Sequence, residues 1–460
     1  MIRTLIRALC SLLLAGLALA SAAEPSKAVP KTLRYAFPVA ETSFDPAQIS
    51  DLYSRTVAAG IFDAPLEFAF MARPFRLRPN TAAAMPEVSA DFRSFTIRIQ
   101  PGILFDDDPA FGGKKRELTA ADYVYSIKRH YDPRWKSANL YILEGGKILG
   151  LSELRKQAID QKKPFDYDTE VEGLRTLDRY SFRIVLAEPS PRFLYNLSDG
   201  SFTGALAREV VEAYGDKVGE HPVGTGPFRL AQWKRSSRMT LAKNPNFREL
   251  LYDEQPPADD ARLQAIAQQF KGRRLPMVDE VQISVIEEAQ PRWLSFLNGE
   301  QDVLEGVPGE FADIAIPNNQ LAPNLAKRGI GMLRVPRADV AVTYFGMDHP
   351  LVGGTTPDKV ALRRAIALAV EAQSPIAHGT WGYDPAFKSE MSEHNLARAK
   401  ALLDLYGYVD KDGDGWREQP DGQPLLLEYA TSPDQTSRQL SELWKKNMDA
   451  LGLRIEFKVA

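Results

Sequence analysis

The order of elements after residue 306 constrains the fold more than any other feature of this chain. Apolar residues there alternate between the periods of helices and strands. The expected elements are a strand at 342–348, helices at 357–371 and 395–407, a strand at 424–431, a helix at 436–452 and a strand at 454–460. Strands separated by a helix form parallel pairs, because a parallel connection needs a crossover. We therefore expect an α/β fold with a parallel sheet.

The first two thirds of the chain mix hairpins with α/β elements. Strands are expected at 31–39, 95–105, 180–188 and 277–286, a hairpin at 228–233 with 238–243, and helices at 54–62, 120–132, 192–198 and 291–299. Thr119 precedes one of these helices, and Asp122 follows three residues later in a weak capping-box pattern.

The first 23 residues have the pattern of a secretory leader. Arg3 and Arg7 precede an apolar run, and small residues at 20–22 suit cleavage. The run is too short to span a bilayer comfortably, so we favour cleavage over a membrane anchor. Cys10 is the only cysteine, so the mature protein is expected to have neither a disulfide nor a reactive thiol.

Composition narrows the class of protein further. Of the 460 residues, 44% are hydrophobic and 25% charged, which is typical of a globular protein. The net charge of −3 becomes more negative once the leader is removed, and this argues against a nucleic-acid partner. We expect an exported, soluble monomer, because no later stretch is apolar enough for a transmembrane helix.

The loop "HPVGTGPFRL", residues 221–230, invites comparison with phosphate-binding loops. Gly224 and Gly226 fit the start of G-x-G-x-x-G, but Arg229 stands where the third glycine is needed. Pro227 also lacks the N–H that a phosphate oxygen would accept from. The loop is therefore interpreted as a turn entering a strand.

Residues for catalysis do not form a recognisable motif. The five histidines lie outside any H-E-x-x-H pattern, and no G-x-S-x-G elbow exists. Residues 106–108 are three consecutive aspartates that suggest a solvated loop. A glycosidase pair of carboxylates, whose members are distant in sequence, stays open. We expect no catalytic residue and no cofactor.

The segment "DKDGDGWREQPD", residues 410–421, raises the question of calcium. Asp410, Asp412 and Asp414 occupy positions 1, 3 and 5 of an EF-hand-like loop, with Gly415 at position 6. Position 12 should be a bidentate Glu but is Asp421, and the prolines around it forbid an exiting helix. We expect an acidic turn without metal, with structural calcium as the alternative.

Several segments, in this order, resemble one protein family. They are "SFDPAQ", "FTIRIQPGILFDDD" with "LTAADYVYSIKRHYDP", "YSFRIVLAEPSPRFLYNLS", "VGTGPFRLAQWKRSSRMTLAKNPNF", "LNGEQDVLEGVP", "ALRRAIALAV" and "NLARAKALLDLYGY". The sequence is similar to the extracellular solute-binding proteins of bacterial ABC importers, the oligopeptide/dipeptide/nickel-binding group (family 5). The resemblance runs from about residue 31 to residue 460.

The resemblance implies a two-lobed periplasmic-binding-protein fold of type II, with ligand enclosed between hinged lobes. Lobe I would comprise residues 24–50 and 179–305, with an extra subdomain at 51–178, and lobe II residues 306–460. Two departures lead us to expect an incomplete lobe II. A segment that family members usually have is missing after Val370-Glu371, and the chain stops at Ala460 inside a strand, before the family's usual C-terminal return.

The resemblance also implies candidate ligand-binding residues. Positions 49–52 match a stretch that lines the cleft in the family, and Tyr344 and Trp381 are candidates from lobe II. The first stretch consists of Ile49, Ser50, Asp51 and Leu52. Plain packing is the alternative for each residue.

The function implied is capture of peptides or peptide-like solutes in the periplasm, for import by a membrane permease and an ATPase. The same fold could instead hold a nickel chelate, an oligosaccharide, an opine or haem. A secreted hydrolase is the rival from another class, and a calcium-stabilised interaction module is a third.

Overall fold

The computed structural model describes residues 30–334, 342–370 and 393–459. Within these ranges the chain divides into two compact units. The first contains residues 30–286 and 294–304, and the second contains residues 287–293 and everything described from residue 305 onward. The leader expected at residues 1–23 lies outside the described residues, and the lobe boundaries stay predictions.

The described residues of the first unit form ten strands in three sheets. The strands are β1 Thr32–Phe37, β2 Leu66–Phe68, β3 Leu77–Pro79, β4 Glu87–Val88, β5 Ser94–Arg98, β6 Leu174–Asp178, β7 Ser181–Val185, β8 Phe228–Lys234, β9 Arg238–Lys243 and β10 Glu280–Val285. One sheet has the order β1-β10-β9-β8, and only β1 and β10 run parallel. A second, antiparallel sheet has the order β4-β5-β7-β6, and β2 pairs with β3 as a hairpin.

The first unit also contains helices. They are α1 Leu52–Ala58, α2 Ala120–Tyr131, α3 Leu140–Gly146, α4 Leu151–Gln161, α5 Gly200–Thr203, α6 Arg208–Tyr214, α7 Ala261–Phe270 and α8 Ala289–Leu297, the last of which contributes to both units. The start of α2 follows the predicted capping box, since Asp122 Oδ2 accepts hydrogen bonds from Thr119 N at 2.7 Å and Thr119 Oγ1 at 2.9 Å. The helix expected at 192–198 is a short 3-10 turn, Phe193–Leu197, and the helix expected at 54–62 begins earlier.

The Gly-Thr-Gly-Pro loop packs directly against the chain at residues 60–63. A Cβ on Gly224 would lie 2.0 Å from the Ile61 carbonyl oxygen, and one on Gly226 2.6 Å from it. The Gly226 N–H donates to that oxygen at 2.8 Å, and Asn244 Nδ2 donates to the Gly226 carbonyl at 2.9 Å. The glycines therefore serve close backbone packing, and the Asn-Pro that follows the hairpin holds the loop in place.

A buried ion pair joins two distant parts of the first unit. Arg129 on α2 and Asp45, in the turn after β1, are both fully buried. Arg129 Nη1 and Nη2 donate to the two carboxylate oxygens at 2.5 and 2.9 Å, and the guanidinium lies 4.2 Å from the centre of the Trp135 ring. Burial alone would lower the pKa of Arg129, but the Asp45 charge outweighs this and holds that pKa above its ordinary value.

The second unit contains the strand–helix–strand arrangement expected from sequence. Its further elements are α9 Gly309–Ala315, α10 Pro323–Ala326, α11 Pro357–Ala369, α12 Leu396–Leu405, β11 Leu426–Thr431, α13 Gln435–Leu451 and β12 Arg454–Val459. The two strands pair in parallel with α13 as the crossover, and α11, α12 and α13 pack over a separate apolar core. The prediction of a parallel α/β unit is confirmed.

The strand expected at residues 342–348 does not form. In the described part of the second unit the sheet has two strands, and neither pairs with this segment. A strand needs a partner for its backbone N–H and C=O groups. Without one the segment is irregular and mostly exposed, with a turn at residues 347–348. Strand-like composition alone therefore misled the prediction.

Across the three described ranges, no helix combines the length and the apolar character that a bilayer crossing requires.

We expect Asp45→Ala to lower the free energy of unfolding by about 3–5 kcal/mol, because it leaves the Arg129 charge buried without its partner. Urea denaturation monitored by circular dichroism measures this change. Glu188→Ala is the matched control, since its pair with Lys147 is solvent-exposed, and it should cost no more than about 1 kcal/mol. Equal effects of the two substitutions would contradict the role assigned to the buried pair.

Because His130 is buried, we expect the free energy of unfolding to fall in mild acid. Its ring is fully buried and bonded to Ser137 Oγ at 2.7 Å and to the Phe202 carbonyl at 2.8 Å. Desolvation lowers its pKa from 6.5 to about 4. The unfolded chain therefore binds the extra proton first, and the contribution of His130, full above pH 6.5, falls as the pH drops towards 4.

The loss from this one group should reach about 3 kcal/mol at the acid end. Urea midpoints measured at a series of pH values should show a steeper acid decline for the natural protein than for His130→Gln. Parallel pH profiles would rule out this source of acid sensitivity.

Candidate functional site

A cavity of about 530 Å³ lies within the first unit. This volume falls in the range of pockets that hold small ligands. Its apolar wall is made of Ala59, Phe62, Ala64, Leu66, Phe68, Pro227, Phe247, Leu250, Leu275 and Pro276. Polar side chains line the remainder, namely Asp63, Glu67, Asn80, Ser198, Asp199 and Arg248. An apolar wall with a few fixed polar groups is the usual character of a binding site.

Asp63 is the centre of the polar network at one side of the cavity. Arg248 Nη1 donates to its Oδ2 at 2.7 Å, and Thr225 Oγ1 donates to the same oxygen at 2.9 Å. Asn80 Nδ2 donates to the other oxygen at 3.2 Å. Arg248 also bonds the Asn80 side-chain oxygen and lies over the Phe247 ring. The Gly-Thr-Gly-Pro loop thus supplies one hydrogen-bond donor to this network, the Thr225 hydroxyl.

A second group of charges carries an excess of negative charge. Arg78 pairs with Glu67 at 2.7 Å and with Glu254 at 2.8 Å, so one guanidinium serves two carboxylates. Burial raises the pKa of Glu67, although Arg78 opposes this effect. Asp199 faces the cavity from the start of α5, where it accepts from Ser201 N, and its contact with Arg55 is long, at 3.8 Å. A cationic group entering the cavity would therefore meet favourable charge.

The four residues predicted after Asp45-Pro46 have different positions. Ile49 is fully buried in the core, and its carbonyl accepts from Asn139 Nδ2 at 2.9 Å. Asp51 is the N-cap of α1, where Oδ1 accepts from Ser54 N at 2.7 Å and Oδ2 accepts from Thr42 Oγ1 at 2.5 Å. Ser50 and Leu52 are exposed. Only these last two leave a free side chain, and ligand binding at this stretch stays a prediction.

The two residues predicted in the second unit are equally untested. Tyr344 is 86% exposed, on the segment that lacks strand pairing. Trp381 lies outside the described residues. Of the five predicted residues that the structure describes, none lines the cavity of the first unit.

Sequence reasoning missed Asp63, Glu67, Asp199 and Arg248. They are separated by up to 185 positions, and no short motif joins them. A partial signal existed in "NPNFR", because Asn-Pro after the hairpin marks where the chain returns to the Gly-Thr-Gly-Pro loop. Arg248 lies three residues after Pro245, at the end of this segment.

A serine and a histidine do meet in the first unit, at Ser137 and His130. The histidine is fully buried, and its other ring nitrogen is bonded to a backbone carbonyl. Neither residue lines the cavity. The pair is a packing element and not a nucleophile with its base, because a reacting group could not reach it.

The acidic loop brings four of its carboxylates together. Ligand oxygens of Asp410, Asp412, Asp414 and Glu418 lie within 4.8 Å of one another. Several of these oxygens already accept backbone N–H groups: Asp410 takes those of Gly413 and Gly415, at 2.7 and 2.9 Å.

Two features of the loop argue against a strong calcium site. Asp414 pairs with Arg454, which supplies a positive charge from the protein itself. Asp421, at the position of the bidentate Glu, does not belong to the group of four and accepts from Gln423 N. An EF-hand loop normally completes its coordination at that position. The structure therefore favours the acidic turn, and metal binding stays untested.

Comparison with known proteins identifies the family. The model of the bacterial extracellular solute-binding proteins, family 5 Middle, matches residues 76–460. The chain belongs to this family, and its mixed α/β fold is that of two-lobed type II periplasmic binding proteins.

Three related proteins show the range of the family. Di/tripeptide-binding protein 2 of Pseudomonas aeruginosa is 27% identical over 97% of this chain and 74% of its own length. The periplasmic binding protein DppA of Helicobacter pylori, solved with the peptide STSA, has a TM-score of 0.64 at 19% identity, over 93% of this chain and 73% of its own. NikA of Brucella suis, solved with Fe(III)-EDTA, has a TM-score of 0.59 at 19% identity, over 93% of this chain and 75% of its own.

The chain therefore spans about three quarters of each of these proteins, and it spans about a third of some other relatives, such as the oligopeptide-binding protein OppA of Salmonella typhimurium. The two complexes contain different ligands in one fold, so the fold alone does not select a cargo.

We expect millimolar Ca²⁺ to change the melting temperature by less than about 1 °C, because a loop that binds no ion gains no stability from it. Differential scanning fluorimetry with added calcium and with EGTA measures the change. A rise of several degrees that EGTA reverses and Asp412→Asn abolishes would establish a calcium site.

Proposed function

We propose that this chain is the periplasmic solute-binding component of an ABC importer, and that it captures peptides or peptide-like solutes. The observation that carries the proposal is a ligand-sized cavity with charged groups and an apolar wall in a chain of this family. Relatives with names or bound ligands of peptide type support this cargo class. The partners would be the permease and ATPase subunits of the importer.

The cavity suits the ammonium end of a peptide. Glu67 and Asp199 line it, and Arg78, the partner of Glu67, is shared with Glu254. Phe68, Phe247 and Leu250 offer apolar surface to a neighbouring side chain. Such a site binds its ligand by charge and burial and forms no covalent bond. We therefore propose a binding protein that releases its cargo unchanged and not an enzyme.

The same family includes a protein solved with a metal chelate. A nickel chelate, an oligosaccharide, an opine or haem would use the same fold with other polar groups. The excess of carboxylates in this cavity favours a cargo with a positive group over an anionic one.

The test begins with native mass spectrometry of the full chain purified from an export-competent host. A co-purified cargo in the mass range of short peptides is the expected result. After unfolding and refolding to remove it, peptide pools should raise the melting temperature and be recovered intact. Release of cleaved products would identify a hydrolase, and stabilisation only by chelates or sugars would identify another cargo.

We expect Glu67→Gln combined with Asp199→Asn to weaken peptide binding at least about tenfold, roughly 1.4 kcal/mol. Asparagine is as good an N-cap as aspartate, so α5 should keep its start. Isothermal titration calorimetry measures the affinity, and Glu188→Gln, a carboxylate outside the cavity, is the control. Unchanged affinity in the double variant would show that the cargo does not bind in this cavity.

A further inference from the structure

An aromatic surface lies on the connection between β2 and β3. We call residues 68–76, "FAFMARPFR", the aromatic tip. Phe68, Phe70 and Phe75 are 43%, 72% and 65% exposed. Phe68 stacks on Tyr195 with ring centres 5.8 Å apart and meets Phe75 edge-on at 6.4 Å. Single exposed apolar residues are ordinary, but several on one short segment mark an interaction surface.

The aromatic tip is held in place from behind. Ala69 N donates to the Arg76 carbonyl at 2.9 Å, which closes the loop. Met71 is buried, and its N–H donates to Glu254 Oε2 at 3.0 Å. Glu254 is itself nearly buried and paired with Arg78 at 2.8 Å. Phe70 and Phe75 flank this anchored residue and are held in solvent, whereas Phe68 also lines the cavity.

The charges of the aromatic tip have one sign. Arg73 and Arg76 are its only ionisable residues. Arg73 lies 4.5 Å from the centre of the Phe75 ring and donates to backbone carbonyls, and Arg76 donates to Gln255. Among the described residues neither arginine forms an ion pair with a carboxylate. The tip therefore presents aromatic rings with two positive charges that the protein does not neutralise.

We propose that the aromatic tip docks on an anionic membrane surface. Phenylalanine rings partition into the interfacial zone of a bilayer, and nearby arginines are attracted to anionic headgroups. A segment of nine residues suits this surface better than a protein partner. A stable protein interface usually needs about 20–30 residues on each side. Docking is weak and depends on salt, because two charges within a Debye length supply the attraction.

Vesicle co-sedimentation of the full chain tests this proposal. The probes are vesicles of phosphatidylcholine alone and of phosphatidylcholine with phosphatidylglycerol. At low salt we expect a substantial bound fraction only with phosphatidylglycerol, and loss of binding at high salt. Phe70→Ser with Phe75→Ser should reduce the bound fraction at least about threefold, and so should Arg73→Gln with Arg76→Gln.

Tyr141→Ser is the matched control, because Tyr141 is also highly exposed and lies outside the tip. Melting temperatures of all variants confirm folding. The proposal is overturned if the natural protein stays in the supernatant, if both vesicle types bind it equally, or if the phenylalanine variant binds like the control. Light scattering that shows a dimer lost in the phenylalanine variant would assign the tip to a second copy and would also overturn it.

Discussion

The buried pair of Asp45 and Arg129 is the interaction on which the first unit depends most. Two full charges are removed from water, and each would be costly there alone. Asp45 belongs to the turn that leaves the mixed sheet, and Arg129 belongs to the helix beside the antiparallel sheet. Their bidentate contact holds these two parts in one orientation. The Gly-Thr-Gly-Pro loop adds a second constraint, because its backbone lies against residues 60–63.

The cavity is a consequence of these constraints. Asp63 follows the segment on which the glycine loop packs, and Thr225 from that loop donates to its carboxylate. Arg248 arrives from beyond the β8–β9 hairpin, which Asn244 ties to the loop. The polar groups that line the cavity are therefore held in position by the packing of the glycine loop and the hairpin. A rigid frame of this kind lowers the entropy cost of binding.

Local elements of secondary structure were predictable from the sequence, and contacts between residues distant in sequence were not. The capping box of Thr119 and Asp122, the β8–β9 hairpin and the β11–α13–β12 crossover all depend on residues close in sequence. The strand expected around Tyr344 failed for the opposite reason. A strand needs a partner, and the seven residues of this segment do not specify which strand would pair with it. Residues 49–52 show the same limit, since their sequence does not reveal that Ile49 is core and Asp51 a helix cap.

The sequence by itself determined the class of fold and the family, because periodicity, turn chemistry and ordered motifs are local properties of the chain. It also led us to expect an export-type leader. Only the tertiary structure decided which charges meet. It brought Arg248 to Asp63 and gave Glu67 and Glu254 one shared arginine. It also left the phenylalanines of the aromatic tip in water. Pairing and exposure depend on the positions of residues far apart in the chain, and those positions exist only once the cores have packed.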